Sequence, residues 1–120
     1  KSTIRGFHYQ REPFAEGKIL RCTKGKVYEV ILDIRKESKT FLEWEGIELS
    51  ENNYRILFIP KGFALGFQTL EDETEIFYQM TQKYMPEYSE GIRWNDPKLK
   101  IEWPLKPTVI SQKDEAWELL

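Results

Sequence analysis

The chain has one cysteine and one histidine in 120 residues. Cys22 has no internal partner for a disulfide. One Cys with one His cannot build a zinc site of the usual Cys/His kind, nor the multi-histidine sites that iron and manganese favour, so no metal is expected. An excess of either charge is missing too: 18 Lys and Arg stand against 20 Asp and Glu, a net charge of −2. That balance gives no positive field to hold a nucleic-acid backbone, and no nucleic-acid partner is expected. No apolar run approaches the roughly 20 residues of a membrane-spanning helix, and no basic-then-apolar signal opens the chain. We expect a soluble protein of the reducing cytoplasm, without a membrane partner. Repeats, low-complexity tracts and Gly/Ser/Pro linkers are also lacking, so residues 1–120 are expected to form one domain around one core. Lys1 rather than methionine opens the chain and Thr3-Ile4-Arg5 already has strand character, from which we expect a longer parent polypeptide.

What is abundant is short strand-like runs separated by turn residues. In KVYEVILDIR, Tyr28, Val30, Leu32 and Ile34 alternate onto one fully apolar face, while Glu29, Asp33 and Arg35 share the other with Val27 and Ile31. Thr23-Lys24-Gly25-Lys26 ahead of it predicts a hairpin with the preceding KILRCT run. Further strands are expected at FLEWEGIEL, YRILFIP, LGFQTL and TEIFYQMTQKY. Many short strands with little room for helices imply an all-β sandwich or barrel of the jelly-roll kind. Only SQKDEAWELL has helical character, with Ser111 as N-cap and Asp114 and Glu115 in the first turn. Four Trp, six Tyr and seven Phe are mostly core and interface rings, with some available to line a sugar or base pocket.

The lone histidine, His8, sits in STIRGFHYQ. By itself a histidine there is more often a buried imidazole satisfied by a backbone carbonyl than a base. The wider pattern decides between them. IRGFHYQ, GKILRCTKGKVYEVILDIRKESKTF, IELSENNYRILFIPKGFALGF, IRWNDPKLKIEWPL and ISQKDEAW, in that order and almost end to end, resemble the dTDP-4-dehydrorhamnose 3,5-epimerase family.

The resemblance implies a cupin-type jelly roll (double-stranded β-helix) with a short C-terminal helix, a homodimer, and no cofactor. The substrate it implies is a nucleotide-linked 4-keto-6-deoxy sugar, inverted at C3, C5 or both. A ketone at C4 acidifies the hydrogens on both neighbouring carbons, so the chemistry needs a base on one face, an acid on the other and a stabiliser for the enolate oxygen. By resemblance the base is His8, steadied by Asp114; Lys18 of EGK stabilises the enolate, and Tyr78 of FYQM is the acid. Arg5 and Lys113 match diphosphate-binding cations, and Gln10 and Tyr84 match further substrate contacts, Tyr84 sharing a face with Tyr78 if their strand continues. Arg5 and His8 are three apart and point to opposite faces of a regular strand. Both reach one ligand only if the strand bends, for which Gly6 is the place, or if Arg5 sits at the cavity rim.

Three features depart from the family. Leu65 in PKGFALGF stands where the family usually has histidine, and Glu29 where that histidine's aspartate partner stands. Leucine neither donates nor titrates, so Glu29 is expected either to face an apolar neighbour with a raised pKa or to turn toward another partner, and the loss of this dyad to narrow the reaction to one carbon, shift the substrate or weaken activity. The segment that usually precedes the RGFHYQ-like motif is not among these 120 residues, so either they are a piece of a longer chain or the nucleotide is bound with fewer groups, and Phe7 replaces a common leucine. A non-catalytic sugar-nucleotide-binding cupin and a 3,4-ketoisomerase on the same scaffold are the alternatives.

Overall fold

The computed structural model describes residues 1–120. Nine strands run in the order β1 Thr3–Gln10, β2 Lys18–Lys24, β3 Lys26–Asp33, β4 Trp44–Ser50, β5 Leu57–Ile59, β6 Phe63–Thr69, β7 Glu75–Met80, β8 Ser89–Gly91 and β9 Val109–Ile110, followed by the single-turn helix α1 Gln112–Glu115. They form two facing sheets, a larger one in the order β4-β3-β6-β1-β8, with β9 also on β1, and a smaller one in the order β5-β2-β7. All pairings are antiparallel except β1 with β9. The nearly all-β architecture is the cupin-type jelly roll expected from the sequence. No helix is long and apolar enough to cross a membrane.

The hairpin expected at Thr23–Lys26 does not form. Both edges of β2 are taken by β5 and β7, while β3 lies between β4 and β6 in the opposite sheet. Gly25, at φ +76°, makes the corner by which the chain changes sheets. A short glycine turn specifies a sharp reversal; which sheet receives the next strand depends on distant pairings that the turn does not encode.

The apolar burial is divided between two sides of the large sheet. Leu20, Cys22, Val27, Leu49 and Ile59 form a cluster between the sheets, flanked by Ile31, Leu65 and Phe67. Phe7, Val30, Leu32 and Ala64 form a second cluster on the outer side, covered by Ile92 and Leu99 with Ile101 and Trp103. The fully apolar side of β3 therefore packs under the C-terminal segment, and its mixed side, carrying Glu29, faces the barrel interior. That segment is held by a reciprocal pair of hydrogen bonds: buried Gln68 donates to the Leu105 carbonyl at 2.8 Å and accepts from the Leu105 amide at 3.0 Å. Trp44 donates to the Leu99 carbonyl at 3.1 Å. Breaking one partner of such a buried pair costs roughly 1–3 kcal/mol.

The bulge expected at Gly6 is present. β1 pairs regularly with β6 at Ile4 and Arg5, and again at His8 with Leu65, with a register shift between. Gly6 adopts φ +110°, and a Cβ there would lie 2.7 Å from both the Gly66 Cα and the Leu65 carbonyl oxygen. Only glycine satisfies both the backbone angle and the close approach. The bulge sends Phe7 into the outer cluster while Arg5 and His8 both line one cavity between the sheets.

Candidate active site

The cavity between the sheets has a volume of about 740 Å³, within the usual range of about 300–1,000 Å³ for small-molecule sites. From the large sheet come Arg5, His8, Glu29, Leu65 and Phe67, and from the small sheet Lys18, Leu20, Ile76 and Tyr78. Tyr84 and Lys113 complete its open side. Every residue singled out from the sequence as catalytic or substrate-binding lines this cavity except Asp114, which lies behind its wall.

Asp114 is buried and holds His8 from behind: His8 Nε2 lies 2.6 Å from Asp114 Oδ1. The Trp117 indole N–H donates to the same oxygen at 3.2 Å, and the Gly6 amide donates to Oδ2 at 3.2 Å. Burial works to raise the Asp114 pKa. The hydrogen bond and charge of His8, with the Gly6 and Trp117 donors, outweigh it and hold the carboxyl below its ordinary value. The carboxylate is placed by α1, whose Ser111 cap accepts from the Asp114 amide at 3.1 Å, as the sequence indicates. With Nε2 turned to a carboxylate, Nδ1 is the ring nitrogen left to accept a proton.

Facing His8 from β2, Lys18 pairs with Glu16 at 3.5 Å, both side chains largely buried. No motif marked Glu16; the only signal was its place in EGK beside the lysine. Trp117 likewise drew no functional reading, although its indole bonds Asp114 and packs against Gly91, where an added Cβ would meet the ring at 2.0 Å.

Glu29 is fully buried, and neither carboxyl oxygen has a partner. Desolvation pushes its pKa up to about 8, with Lys18 acting weakly against it. Of the two outcomes expected from Leu65, this is the apolar one: Glu29 sits opposite Phe67 in the β3–β6 register, with Leu65 opposite Ile31 one step along the same face. Neither neighbour offers a hydrogen bond.

One placement differs from expectation. β7 ends at Met80, so Tyr84 does not share a strand with Tyr78; it reaches the cavity from the connection that follows. Gln10 lines the cavity but spends its amide on the chain, donating to the Phe14 and Lys83 carbonyls at 2.8 and 3.3 Å and accepting from the Met85 amide at 2.8 Å. Its bonds to Lys83 and Met85 bracket Tyr84, so it braces the segment that carries that tyrosine while lining the cavity. Tyr78 and Tyr84 are about half exposed, at 58% and 54%, and stand at the rim.

The sequence profile of the family described as dTDP-4-dehydrorhamnose 3,5-epimerase matches residues 1–120. The chain is 45% identical over 123 residues to the dTDP-4-dehydrorhamnose 3,5-epimerase of Methanothermobacter thermautotrophicus, covering all of this chain and 66% of that one. It is 47% identical over 121 residues to that of Salmonella typhimurium, again covering all of this chain and 66% of the relative. Among solved structures, the enzyme from Bacillus anthracis with TDP and pyrophosphate bound superposes with a TM-score of 0.96 at 43% identity, over 99% of this chain and 68% of that chain. The Legionella pneumophila enzyme in complex with dTDP-4-keto-L-rhamnose gives 0.94 at 42% identity, over 99% and 63%. The chain thus spans about two thirds of the length of these relatives.

Proposed function

The chain belongs to the dTDP-4-dehydrorhamnose 3,5-epimerase family, and on that premise we propose that it epimerises a nucleotide-linked 4-keto-6-deoxy sugar in deoxysugar synthesis for cell-surface polysaccharide. The observation that carries this reading is the convergence of a carboxylate-backed imidazole, a lysine and a tyrosine on one cavity. In this mechanism His8 Nδ1 takes the proton from a carbon next to the C4 ketone, and Asp114 stabilises the imidazolium that forms. The electron pair moves into an enolate whose oxygen faces the Lys18 ammonium, in a cavity where charge is little screened. Tyr78 returns a proton to the carbon from the opposite face, which inverts it.

Arg5 and Lys113 are assigned to the diphosphate. The guanidinium fork of Arg5 suits two phosphate oxygens, and Lys113 adds a point charge beside the Trp117 ring, 5.7 Å from its centroid. Leu65 beside His8 favours inversion at one carbon over inversion at two. We also propose a homodimer. On the outer face of the small sheet Ile19, Phe58 and Phe77 stand exposed, Ile19 directly opposite Phe58 in the β2–β5 register, an apolar face suited to a second copy. The free Cys22 thiol accords with a cytoplasmic site of action.

Solvent exchange tests the reaction. Incubation with dTDP-4-keto-6-deoxyglucose in D₂O should place deuterium at C3 or C5, and His8→Ala should abolish it. Tight binding with no label at either carbon would instead favour a non-catalytic sugar-nucleotide-binding protein.

A further inference from the structure

Lys18 has two carboxyl groups within electrostatic reach and contacts only one of them. Glu16 Oε1 lies 3.5 Å from its ammonium. Glu29, from the opposite sheet, acts on it through space, while both Glu29 oxygens remain without a hydrogen-bond partner inside a fully buried side chain. A buried carboxylate without partners is strongly disfavoured, whereas the neutral acid is tolerated. The two carboxyls therefore differ in their contacts: Glu16 meets the ammonium through Oε1, its Oε2 being buried without a partner, whereas neither oxygen of Glu29 meets any polar group.

We propose that Glu29 is a positioning residue, a buried carboxyl that carries its proton while the site works, so that the Lys18 ammonium keeps its charge for the oxygen of the bound keto sugar. Were Glu29 ionised, a second anion on the cavity wall would compensate Lys18 and weaken its pull on a developing enolate. The titratable groups that line the same cavity as Glu29 are Arg5, His8 and Tyr9 from β1, Glu16 just ahead of β2 and Lys18 at its start, Tyr78 from β7, and Tyr84 and Lys113 at its open side, and Cys22 on β2 lies within electrostatic reach of Glu29. The neighbouring positions on β4 and β6, Ile47 and Phe67, carry no charge. Among these groups Lys18 alone pulls Glu29 toward its ionised form, and desolvation opposes it more strongly.

The proposal rests on the epimerase reading of the cavity, and its test separates the two. Exchange into the 4-keto sugar nucleotide is followed from pH 6.5 to about 9 in the wild type and in Glu29→Gln, an isostere that cannot ionise. Binding of the same sugar nucleotide is measured by calorimetry across the same range. With Glu29 titrating near 8, the wild type should lose about ten-fold between its neutral and alkaline values, one pH unit above that midpoint. The Gln variant should hold its own neutral value across the range. An alkaline fall that persists unchanged in Glu29→Gln has a source other than Glu29 and overturns the proposal. So does a ¹³C-carboxyl NMR titration in which no resonance removed by Glu29→Gln titrates above the ordinary carboxylate range. If the wild type binds without exchange, the epimerase reading fails, and the binding arm and the carboxyl titration still decide the protonation of Glu29 and its effect on Lys18.

Discussion

His8 and Asp114, 106 residues apart in the chain, meet with 2.6 Å between Nε2 and Oδ1. The contact depends on three local features: the bulge at Gly6 that turns His8 inward, the single helical turn that presents Asp114, and the Trp117 indole packed against Gly91. Because the carboxylate also accepts from the Gly6 amide, the dyad and the bulge hold one another in place.

Replacing the carboxylate separates orientation from charge. Asp114→Asn keeps the size of the side chain but loses the anion that fixes the His8 tautomer and stabilises the imidazolium. We expect the deuterium exchange rate to fall by roughly 10²–10⁴-fold, with little change in binding of dTDP alone. The native pKa of Asp114 is depressed, so its contribution to stability is present above the ordinary carboxylate range and is lost as pH falls through the native value. The variant should unfold with a weaker dependence on acid than the wild type. Exchange within three-fold of wild type would remove Asp114 from the mechanism.

The Gly6 bulge makes a sharper structural prediction. Gly6→Ala places a Cβ 2.7 Å from backbone atoms of β6 at a φ of +110°, and neither obstacle is a flexible side-chain end that can swing away. Backbone strain and overpacking each cost about 1–3 kcal/mol. A drop in Tm of many degrees follows for a domain whose total stability is of the order of 5–15 kcal/mol. A melting temperature equal to that of the wild type would show that β1 accommodates the methyl group by leaving the bulged register.

Much of this was legible in the sequence because it is written locally. Alternation in KVYEVILDIR marks β3, the Ser111 cap marks α1, and the parity conflict between Arg5 and His8 points to Gly6 as the bulge. What was not legible depends on distant partners. The Gly25 turn looks the same whether the next strand pairs with β2 or crosses to the other sheet. The apolar side of β3 looks like the barrel interior until Ile92, Leu99 and Trp103 are seen to cover it from outside. Glu16, which lines the cavity, and Trp117, which bonds Asp114 behind it, act through contacts that no spacing rule predicts, and the Gln10 amide bonds the backbone on either side of Tyr84, in the connection that follows β7.

Glu29 should also leave a signature in stability. Its native pKa is raised to about 8 from an ordinary carboxyl value, so between those limits the folded state binds a proton that the unfolded chain has released. Stability then falls as pH rises through that window, by about 1.4 kcal/mol per unit, and levels off above it. Urea unfolding of the wild type and Glu29→Gln from pH 5 to about 8 measures the difference, and the variant should lack this slope. Parallel curves would mean that Glu29 finds a partner in solution and ionises normally.

On the proposed epimerase reading, Leu65 bears on which carbon is inverted. It lies directly opposite His8 in the β1–β6 register and opposite Ile31 on its other side, so its side chain lies beside the proposed base on the same face. An aliphatic wall there offers no group to position the sugar for attack at the second carbon. The wild type should therefore label C3 and C5 at rates at least about ten-fold apart, the range one lost polar contact commonly spans. Leu65→His adds a group that donates, accepts and titrates. It also brings an imidazole close to Glu29, where a shared proton gives that carboxyl the partner it lacks. The variant should raise the slower of the two exchange rates toward the faster and lower the Glu29 midpoint in a carboxyl NMR titration. Equal labelling of both carbons by the wild type would show that Leu65 does not limit the reaction. A lowered Glu29 midpoint without faster exchange would place the effect of Leu65 on the carboxyl alone.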